Sequence, residues 1–340
     1  MSTSTATTNR QWILQSRPAG SIEEDTFQLV DGDVPELGEG QILCRNEYLS
    51  LDPAMRGWIS EKPAYREPIA LGNVMDSAGI AEVIASKNDS IPVGAKVYGL
   101  VGWQEYCVLG PEELPNVLPT ELPIPITNFL SVLGITGITA YFGLNDIGKP
   151  EEGDTVLVST AAGAVGSIVC QLAKLKGCRV IGLAGTDEKC AWLQDELGLD
   201  GVINYKTDDV FAKIQETCPE GIDVYFDNVG GDILDAALAH LAIGARVVIC
   251  GAIQRFNRTD DLPGPKNYIN LLGRRARMEG FVVLDYRDRF MEAVGALAPM
   301  VIGKQLRFKE HIVEGLESAP HALLKLYEGT NNGKLIVKLD

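Results

Sequence analysis

Histidine is scarce in this sequence, and its cysteines do not stand at the spacing of a metal site. The three histidines are His240, His311 and His321, and the seven cysteines include no CxxC pair. Zinc sites usually take Cys and His ligands that lie close together in the chain. A tetrahedral zinc site would have to be assembled from distant segments, so we expect no metal. An odd, scattered set of cysteines also does not indicate a disulfide framework, and it fits a reducing cytoplasm.

Excess positive charge and long apolar runs are also missing. Thirty Lys and Arg stand against 46 Asp and Glu, a formal net charge of −16. This charge opposes generic attraction to nucleic acid or to an anionic membrane, so any anionic ligand must be held locally. No apolar stretch approaches the roughly 20 residues of a membrane span, and the first ten residues lack the hydrophobic segment of a secretory signal. The short basic cluster GRRARM, residues 273–278, fits a solvated turn or an intrachain partner for acids better than an RNA contact.

Two kinds of pattern divide the 340 residues. From Gln11 to about Leu118, short β-type runs are punctuated by Gly and Pro and show almost no helical period. From about Phe129, apolar strands such as TVLVS, CRVIGLA, GVINY and MEGFVVL alternate with helical stretches, which predicts βαβ units and a doubly wound parallel sheet. The tail reads strand, helix, strand, and we expect it to rejoin the β-rich part. The sequence therefore predicts an α/β protein with a β-rich domain (1–128 and 303–340) and a dinucleotide-binding domain (129–302).

The most specific motif is TVLVSTAAGAVGS, which starts at Thr155. It reads as a buried strand, a tight turn and the start of a helix, whose free N–H groups and positive dipole end suit a pyrophosphate. Against the pattern G-x-G-x-x-G, the three glycine positions are Ala161, Gly163 and Gly166, so alanine replaces the first glycine. Gly163 would let the backbone approach the phosphates, and Gly166 would let the helix pack on the strand. A merely structural turn is the alternative, but the βαβ context favours a dinucleotide.

The stretch CRVIGLAGTDEK ends the next strand at Ala184. An NAD-binding protein carries an Asp or Glu at about this distance, to bind the ribose 2′-hydroxyl. Its absence, with a cation nearby, is the expected change for NADP, so Lys189 is a candidate ligand of the 2′-phosphate. An ordinary exposed lysine is the alternative. Asp187 and Glu188 fit dipole-complementing residues of the first helical turn better than cofactor contacts.

An ordered set of motifs resembles one known family. AAGAVG, AGTDEK, INYK, YFDNVGG, CGAI, RMEGFVV and NNGK, with LSLDPAMRGW and GWQEYCVL near the start, resemble the zinc-independent medium-chain dehydrogenase/reductase superfamily. More narrowly, they resemble its prostaglandin reductase and leukotriene B4 12-hydroxydehydrogenase group, which includes bacterial NADPH-dependent curcumin reductases. The resemblance covers essentially the whole chain. It implies a GroES-like catalytic domain, a Rossmann domain that binds NADP(H), and a homodimer that we expect to form through the edge strand MEGFVVL.

The resemblance also implies the cofactor-binding residues. Lys189 and Tyr205 would hold the 2′-phosphate. The other positions are Ala162, Gly163, Ala164, Val165 and Gly166, then Asn228, Cys250, Gly251, Ala252, Ile253, Phe256, Phe281, Val282, Val283 and Asn331. Read without the family, Tyr205 could be a core aromatic, and the two asparagines could simply stabilise turns.

The reaction that the resemblance implies is reduction of a carbon–carbon double bond conjugated to a carbonyl in a small hydrophobic enone or enal. The protein must then place a hydrogen-bond donor where the carbonyl oxygen becomes negative. Many relatives carry a tyrosine where this chain has Gly273, so Tyr65 and Tyr268 become the candidate donors; a ribose hydroxyl or a backbone group is the alternative. Two other functions stay open, reduction of quinones and NADP binding without turnover.

Overall fold

The computed structural model describes residues 8–61, 65–113, 115–255 and 264–339. The chain divides into two compact units, the first made of residues 1–130 and 310–340 and the second of residues 131–309. Residues 303–309, which the sequence pattern assigned to the first domain, group with the second unit. They do so because the backbone N–H of Arg307 donates to Gln171 Oε1 and Gln171 Nε2 donates to the Arg307 carbonyl, both at 2.7 Å.

The strands are short and lie mostly in two sheets. Their bounds are β1 (Thr8–Leu14), β2 (Phe27–Asp33), β3 (Ile42–Leu51), β4 (Ala78–Ser86), β5 (Lys96–Leu100), β6 (Tyr106–Leu109), β7 (Asn116–Val117), β8 (Thr155–Val158), β9 (Arg179–Ala184), β10 (Gly201–Asn204), β11 (Ile222–Asp227), β12 (Leu241–Ile249), β13 (Arg277–Gly280), β14 (Glu310–Glu314) and β15 (Lys334–Lys338).

Helices concentrate in the second unit. The α-helices are α1 (Met55–Trp58), α2 (Ile135–Phe142), α3 (Gly166–Leu175), α4 (Asp187–Ala191), α5 (Val210–Thr217), α6 (Gly231–Ala239), α7 (Asn270–Arg274), α8 (Phe290–Ile302) and α9 (Ala319–Glu328). Single π-helical segments cover Gly143–Gly148 and Trp192–Glu196. Short 3₁₀ helices cover Glu24–Thr26, Pro111–Glu113, Ile126–Phe129, Ile253–Arg255, Lys266–Ile269, Val283–Arg289 and Leu316–Ser318.

The second unit contains the doubly wound parallel sheet that the sequence predicts. Six parallel strands run in the order β10-β9-β8-β11-β12-β13. Every residue of β8 is buried, as expected for a central strand covered on both faces. The strand order reverses between β8 and β11, and ligands of such sheets bind at this switch point, beyond the carboxyl ends of the strands.

One predicted strand of this sheet is shorter than its pattern. MEGFVVL reads as a strand through Leu284, but β13 ends at Gly280 and a 3₁₀ helix begins at Val283. The strand ends there because the adjacent strand β12 ends. Gly280 pairs with Ile249, the last residue of β12, so Phe281 has no backbone partner on that strand. The residues after β13 are therefore free to turn away from the sheet.

The first unit is built on a seven-stranded sheet and a small β1-β2 ribbon. The larger sheet has the order β14-β15-β3-β4-β5-β7, and β6 also pairs with β3. The C-terminal strand β15 runs antiparallel to β3, so the tail rejoins this unit as expected. Lys334 at the start of β15 is 2% exposed, and its Nζ donates to the Leu51 carbonyl at 2.6 Å and to Asp52 Oδ1 at 2.8 Å. No helix within the described ranges combines the length and apolarity needed to cross a bilayer.

Candidate active site

Most of the predicted cofactor residues lie at one edge of the second unit. They come after the carboxyl ends of strands β8 to β13, because each is in the turn that follows a strand or in the first residues of the next helix. Parallel strands bring these turns to one edge. Two predicted residues, Tyr65 and Asn331, belong to the first unit instead.

The turn between β8 and α3 is closed by glycines that could not carry a side chain. A Cβ on Gly166 would lie 2.3 Å from the Thr160 carbonyl oxygen and 2.9 Å from the Cα of Ala161. A Cβ on Gly163 would lie 2.9 Å from Cγ2 of Thr160. The Gly163 N–H donates to the Thr160 carbonyl at 2.9 Å, and the Gly163 carbonyl accepts from Ser167 at 3.0 Å. The helix N-terminus therefore sits tightly on the strand end, an arrangement that suits a pyrophosphate site.

At the end of β9, Gly185 makes room for Tyr205. A Cβ on Gly185 would lie 2.5 Å from the Tyr205 hydroxyl oxygen and 2.7 Å from its Cζ. The Tyr205 N–H donates to the Ala184 carbonyl at 3.0 Å, which fixes the ends of β9 and β10 to each other. The residue next to the missing ribose carboxylate is thus a glycine because a phenol occupies the space above it.

Thr186 and Asp187 of the TDEK stretch have structural partners. Thr186 caps α4 by accepting from the Lys189 N–H at 3.2 Å. Asp187 Oδ1 accepts from Asn204 Nδ2 at 2.7 Å, so its carboxylate ties the first turn of α4 to the end of β10. This arrangement agrees with the interpretation of Asp187 as a first-turn residue rather than a reader of the ribose.

Two lysines influence each other at this corner. Burial, and then the positive charge of Lys206, lower the pKa of Lys189 below its ordinary value. Lys206 is exposed and directly follows Tyr205, and its N–H donates to Asn204 Oδ1 at 3.2 Å. Lys206 was not predicted from the sequence, although it stands in the quoted motif INYK. A half-buried cation with a second cation nearby is stabilised by an anion, and a 2′-phosphate supplies one.

Beyond β11, Asn228 braces the turn after β8. Its Nδ2 donates to the Ser159 carbonyl and its N–H donates to Ser159 Oγ, both at 2.8 Å. The preceding Asp227 is fully buried, and burial raises the pKa of its carboxyl. It accepts from the Tyr225 hydroxyl at 2.8 Å and from the N–H groups of Val229 and Gly230 at 3.0 Å. In this structure the Asn228 side chain stabilises a turn, which is a common role of asparagine whatever the family.

The segment after β12 is held against the same turn. The N–H groups of Cys250 and Gly251 donate to the Asp227 carbonyl at 2.9 and 3.1 Å, and Ile253 begins a 3₁₀ helix beyond Ala252. Burial raises the pKa of the Cys250 thiol to about 12, so its sulfur is not a nucleophile at neutral pH. Backbone groups are what this segment can offer a cofactor. Phe256, also predicted here, lies outside the described residues.

After β13, Phe281 is partly buried in the second unit. A Cβ on Gly143 would lie 2.7 Å from both the Phe281 Cζ and the Phe226 Cε2, so Gly143 admits both rings. Val282 and Val283 come next, half-buried, and Val283 starts the 3₁₀ helix. The Phe281 ring therefore packs inward, and residues 281–283 offer their backbone at the sheet edge.

Tyr268 stands among exposed apolar side chains. It is 59% exposed on the 3₁₀ helix before α7, next to Ile269 and close in sequence to Leu272, which is 77% exposed. Asn267 anchors this turn by donating from Nδ2 to Asp235 Oδ2 at 3.1 Å. No group within the described ranges makes a hydrogen bond to the Tyr268 hydroxyl.

In the first unit, Tyr65 has an anchored hydroxyl. It is 48% exposed, and its oxygen accepts from Trp58 Nε1 at 2.9 Å. Burial raises the pKa of Tyr65, with the Trp58 hydrogen bond acting in the opposite direction. Asn331, the other predicted residue of this unit, donates from Nδ2 to the Gly333 carbonyl at 2.8 Å and so stabilises its own turn.

Together, the fold and the sheet edge define a dinucleotide-binding protein. The glycine-closed turn after β8 fits a pyrophosphate, and Lys189 and Lys206 beside Tyr205 fit the extra phosphate of NADP(H). Within the described part of the chain, no group of three or more His, Cys, Asp or Glu side chains is placed to hold a metal ion.

Comparison with known proteins gives the family. Residues 10–117 match the N-terminal domain of oxidoreductase, and residues 164–298 match the model described as zinc-binding dehydrogenase. The chain is 44% identical over 338 residues to the oxidoreductase YfmJ of Bacillus subtilis (strain 168), covering 98% of both chains. It is 39% identical to the NADPH-dependent curcumin reductase of Escherichia coli (strain K12), covering 97% of both. The structure of CurA from Vibrio vulnificus in complex with NADPH is 40% identical, with a TM-score of 0.92 over 97% of this chain and 99% of that one.

This chain belongs to the zinc-independent medium-chain dehydrogenase/reductase superfamily, in the group that contains the curcumin reductases. It is an NADP-dependent oxidoreductase.

Proposed function

We propose that this protein reduces the carbon–carbon double bond of small hydrophobic α,β-unsaturated ketones and aldehydes with NADPH. The observation that carries the proposal is the corner beyond β9, where Gly185, Tyr205 and two lysines replace the ribose-binding acid. That corner selects NADP(H), the cofactor of reductive reactions. The E. coli relative is named for curcumin, whose double bonds are conjugated to carbonyl groups, and this supports an enone as substrate.

When bound, NADPH would supply the hydride that adds to the β-carbon of the enone, and a proton from water would add to the α-carbon to give the saturated product. The protein's own task is to hold the substrate and to stabilise the negative charge that develops on its carbonyl oxygen. We propose that Tyr65 donates a hydrogen bond to that oxygen. Its own oxygen already accepts from Trp58, and its raised pKa keeps the phenol protonated, as a donor must be.

Tyr268, the second candidate, has less support. Its hydroxyl lacks an anchoring hydrogen bond among the described residues, and its surroundings are apolar and exposed. Replacing each tyrosine with phenylalanine separates the two. We expect Tyr65→Phe to lower kcat for an enone by about tenfold or more, because one donor to a developing oxyanion is worth at least this much. Turnover within about a factor of two would remove that tyrosine from the reaction.

The decisive test of the proposal is oxidation of NADPH in the presence of a small panel of enones, enals and quinones. We expect enones and enals to be turned over and the product to be the saturated carbonyl compound. Quinone reduction is the alternative activity, and faster turnover of quinones than of any enone would favour it. Tight binding of NADPH with no turnover of any panel member would mean that the protein binds the cofactor without catalysis.

We also propose that the protein forms a homodimer through the free edge of β13. Among the described strands it pairs with β12 alone, and all four of its residues are exposed. Elsewhere in the second unit, Leu272 is 77% and Met291 is 76% exposed. A second copy would cover this surface, since monomers rarely leave such patches open. Light scattering should show Leu272→Asp as a monomer, whereas Val93→Asp, at a 62% exposed position of the first unit, should leave a dimer. A monomeric unmodified protein would contradict the proposal.

A further inference from the structure

The hydroxyl of Tyr65 takes part in a hydrogen bond with a defined donor and acceptor. Trp58 Nε1 and Tyr65 Oη are 2.9 Å apart. An indole N–H can only donate, so the tyrosine oxygen must be the acceptor. The phenolic proton takes no part in this bond and is therefore left to donate to another acceptor.

The indole ring of Trp58 makes a cation–π contact with Arg66. The guanidinium carbon of Arg66 lies 4.8 Å from the centroid of the indole ring, and Arg66 also forms an ion pair with Asp76. A cation over an aromatic face is attracted by the ring's electron density. It also draws that density away from Nε1–H and makes it a stronger donor. Arg66 thus both fixes the ring plane and strengthens the bond to Tyr65.

The backbone below Trp58 is also fixed. In α1, the buried Arg56 donates from Nη2 to the carbonyls of Pro18 and Gly20, both at 2.8 Å. The Ile69 N–H donates to the Trp58 carbonyl at 2.8 Å, which closes the loop that carries Tyr65. The indole donor therefore stands at a set place, and the tyrosine oxygen is drawn to it.

From this geometry we propose that Trp58 is a positioning residue for the reaction: by occupying the acceptor side of the Tyr65 hydroxyl, it directs the phenolic proton toward the carbonyl oxygen of the substrate. The proposal rests on the function proposed above and on Tyr65 as the donor. Trp58 need not touch the substrate to act in this way.

The test is a double-mutant cycle with Trp58→Phe and Tyr65→Phe, assayed with NADPH and an enone that the unmodified protein turns over. Phenylalanine keeps an aromatic ring under Arg66 but has no N–H. We expect kcat/KM for the enone to fall by about fivefold in Trp58→Phe, the worth of one ordinary hydrogen bond. In the double variant it should fall no further than in Tyr65→Phe, because both changes remove the same interaction. KM for NADPH should not change.

Two further readouts separate positioning from a loss of structure. Trp12→Phe is the matched control, because it also removes an indole hydrogen bond of 2.9 Å from the first unit, the one that Trp12 donates to the Leu316 carbonyl. It should leave enone turnover unchanged. Because the Trp58 bond favours the ionised phenol, Trp58→Phe should also move the alkaline loss of kcat, measured at saturating NADPH, to higher pH.

Several results would overturn the proposal. The proposal fails if the two losses of kcat/KM multiply in the double variant, or if Trp12→Phe loses as much as Trp58→Phe. It also fails if the alkaline loss of activity does not shift in Trp58→Phe. Each of these results would show that Trp58 acts only through stability. Should Trp58→Phe fail to fold, Arg66→Met replaces it in the cycle, with an expected loss of about two- to threefold that disappears in the Tyr65→Phe background. If the unmodified protein turns over the enone and Tyr65→Phe turns it over equally fast, that result would refute this inference but not the proposed reduction of enones.

Discussion

Replacing Lys189 with glutamate should convert the cofactor preference of this protein. Lys189 is half-buried in α4, so its charge is screened less than that of a surface lysine. Loss of one charge-assisted hydrogen bond costs about 1.5 to 3 kcal/mol, and the new carboxylate adds repulsion of the 2′-phosphate. We expect a total of about 3 kcal/mol, which corresponds to about a 100-fold rise in the KM for NADPH.

The assay compares KM for NADPH and for NADH with one enone. NADH has no 2′-phosphate, so its KM should stay level or fall slightly. Lys213→Glu makes the same change of charge in α5, where Lys213 pairs with Glu216 at 2.8 Å, and should alter neither constant. Lys206→Glu should raise the KM for NADPH by a smaller factor, because Lys206 is exposed. Equal losses for NADPH and NADH in Lys189→Glu would refute the assignment of this corner to the phosphate.

Three further outcomes are expected from the structure. Gly166→Ala should abolish binding of both NADPH and NADH, as measured by fluorescence titration, because its Cβ would lie 2.3 and 2.9 Å from backbone atoms. The control Gly295→Ala should bind both cofactors normally, because no atom lies within 4 Å of its Cβ. Lys334→Met should lower the free energy of unfolding in urea by about 3 kcal/mol or more, because it leaves the carboxylate of Asp52 without its buried cation, and adding Asp52→Asn should restore part of the loss. KM for NADPH should rise with pH earlier than an ordinary lysine would dictate, since the lowered pKa of Lys189 removes its charge sooner, while KM for NADH should stay flat.

The second unit could be anticipated closely from the sequence because its central strands are buried and its strands alternate with helices. TVLVS and GVINY are continuous apolar runs, and they form β8 and β10. MEGFVVL is the same kind of run, but its second half has no ladder partner. Whether an apolar stretch forms a strand along its whole length depends on the length of the adjacent strand. The sequence of the stretch itself does not contain that information.

The site was only partly foreseeable for a related reason. The missing acid at Ala184 is visible in the sequence, because its distance from the glycine turn is fixed by the βαβ unit. The contact between Gly185 and Tyr205 is not visible, since the two residues stand on neighbouring strands with a helix between them. Lys206 and Trp58 were missed for the same reason: each is implicated only by a neighbour, Lys189 or Tyr65, that the fold brings close.

The most direct test of the central claim is to trace the hydride. The protein is supplied with NADPH that carries deuterium at the transferable position of C4 and with a simple enone, and the product is analysed by NMR. Our account predicts a saturated ketone with the deuterium on the β-carbon and none on the carbonyl carbon. An allylic alcohol that carries the deuterium on the carbonyl carbon would contradict the account, because the protein would then reduce the carbonyl group and not the double bond.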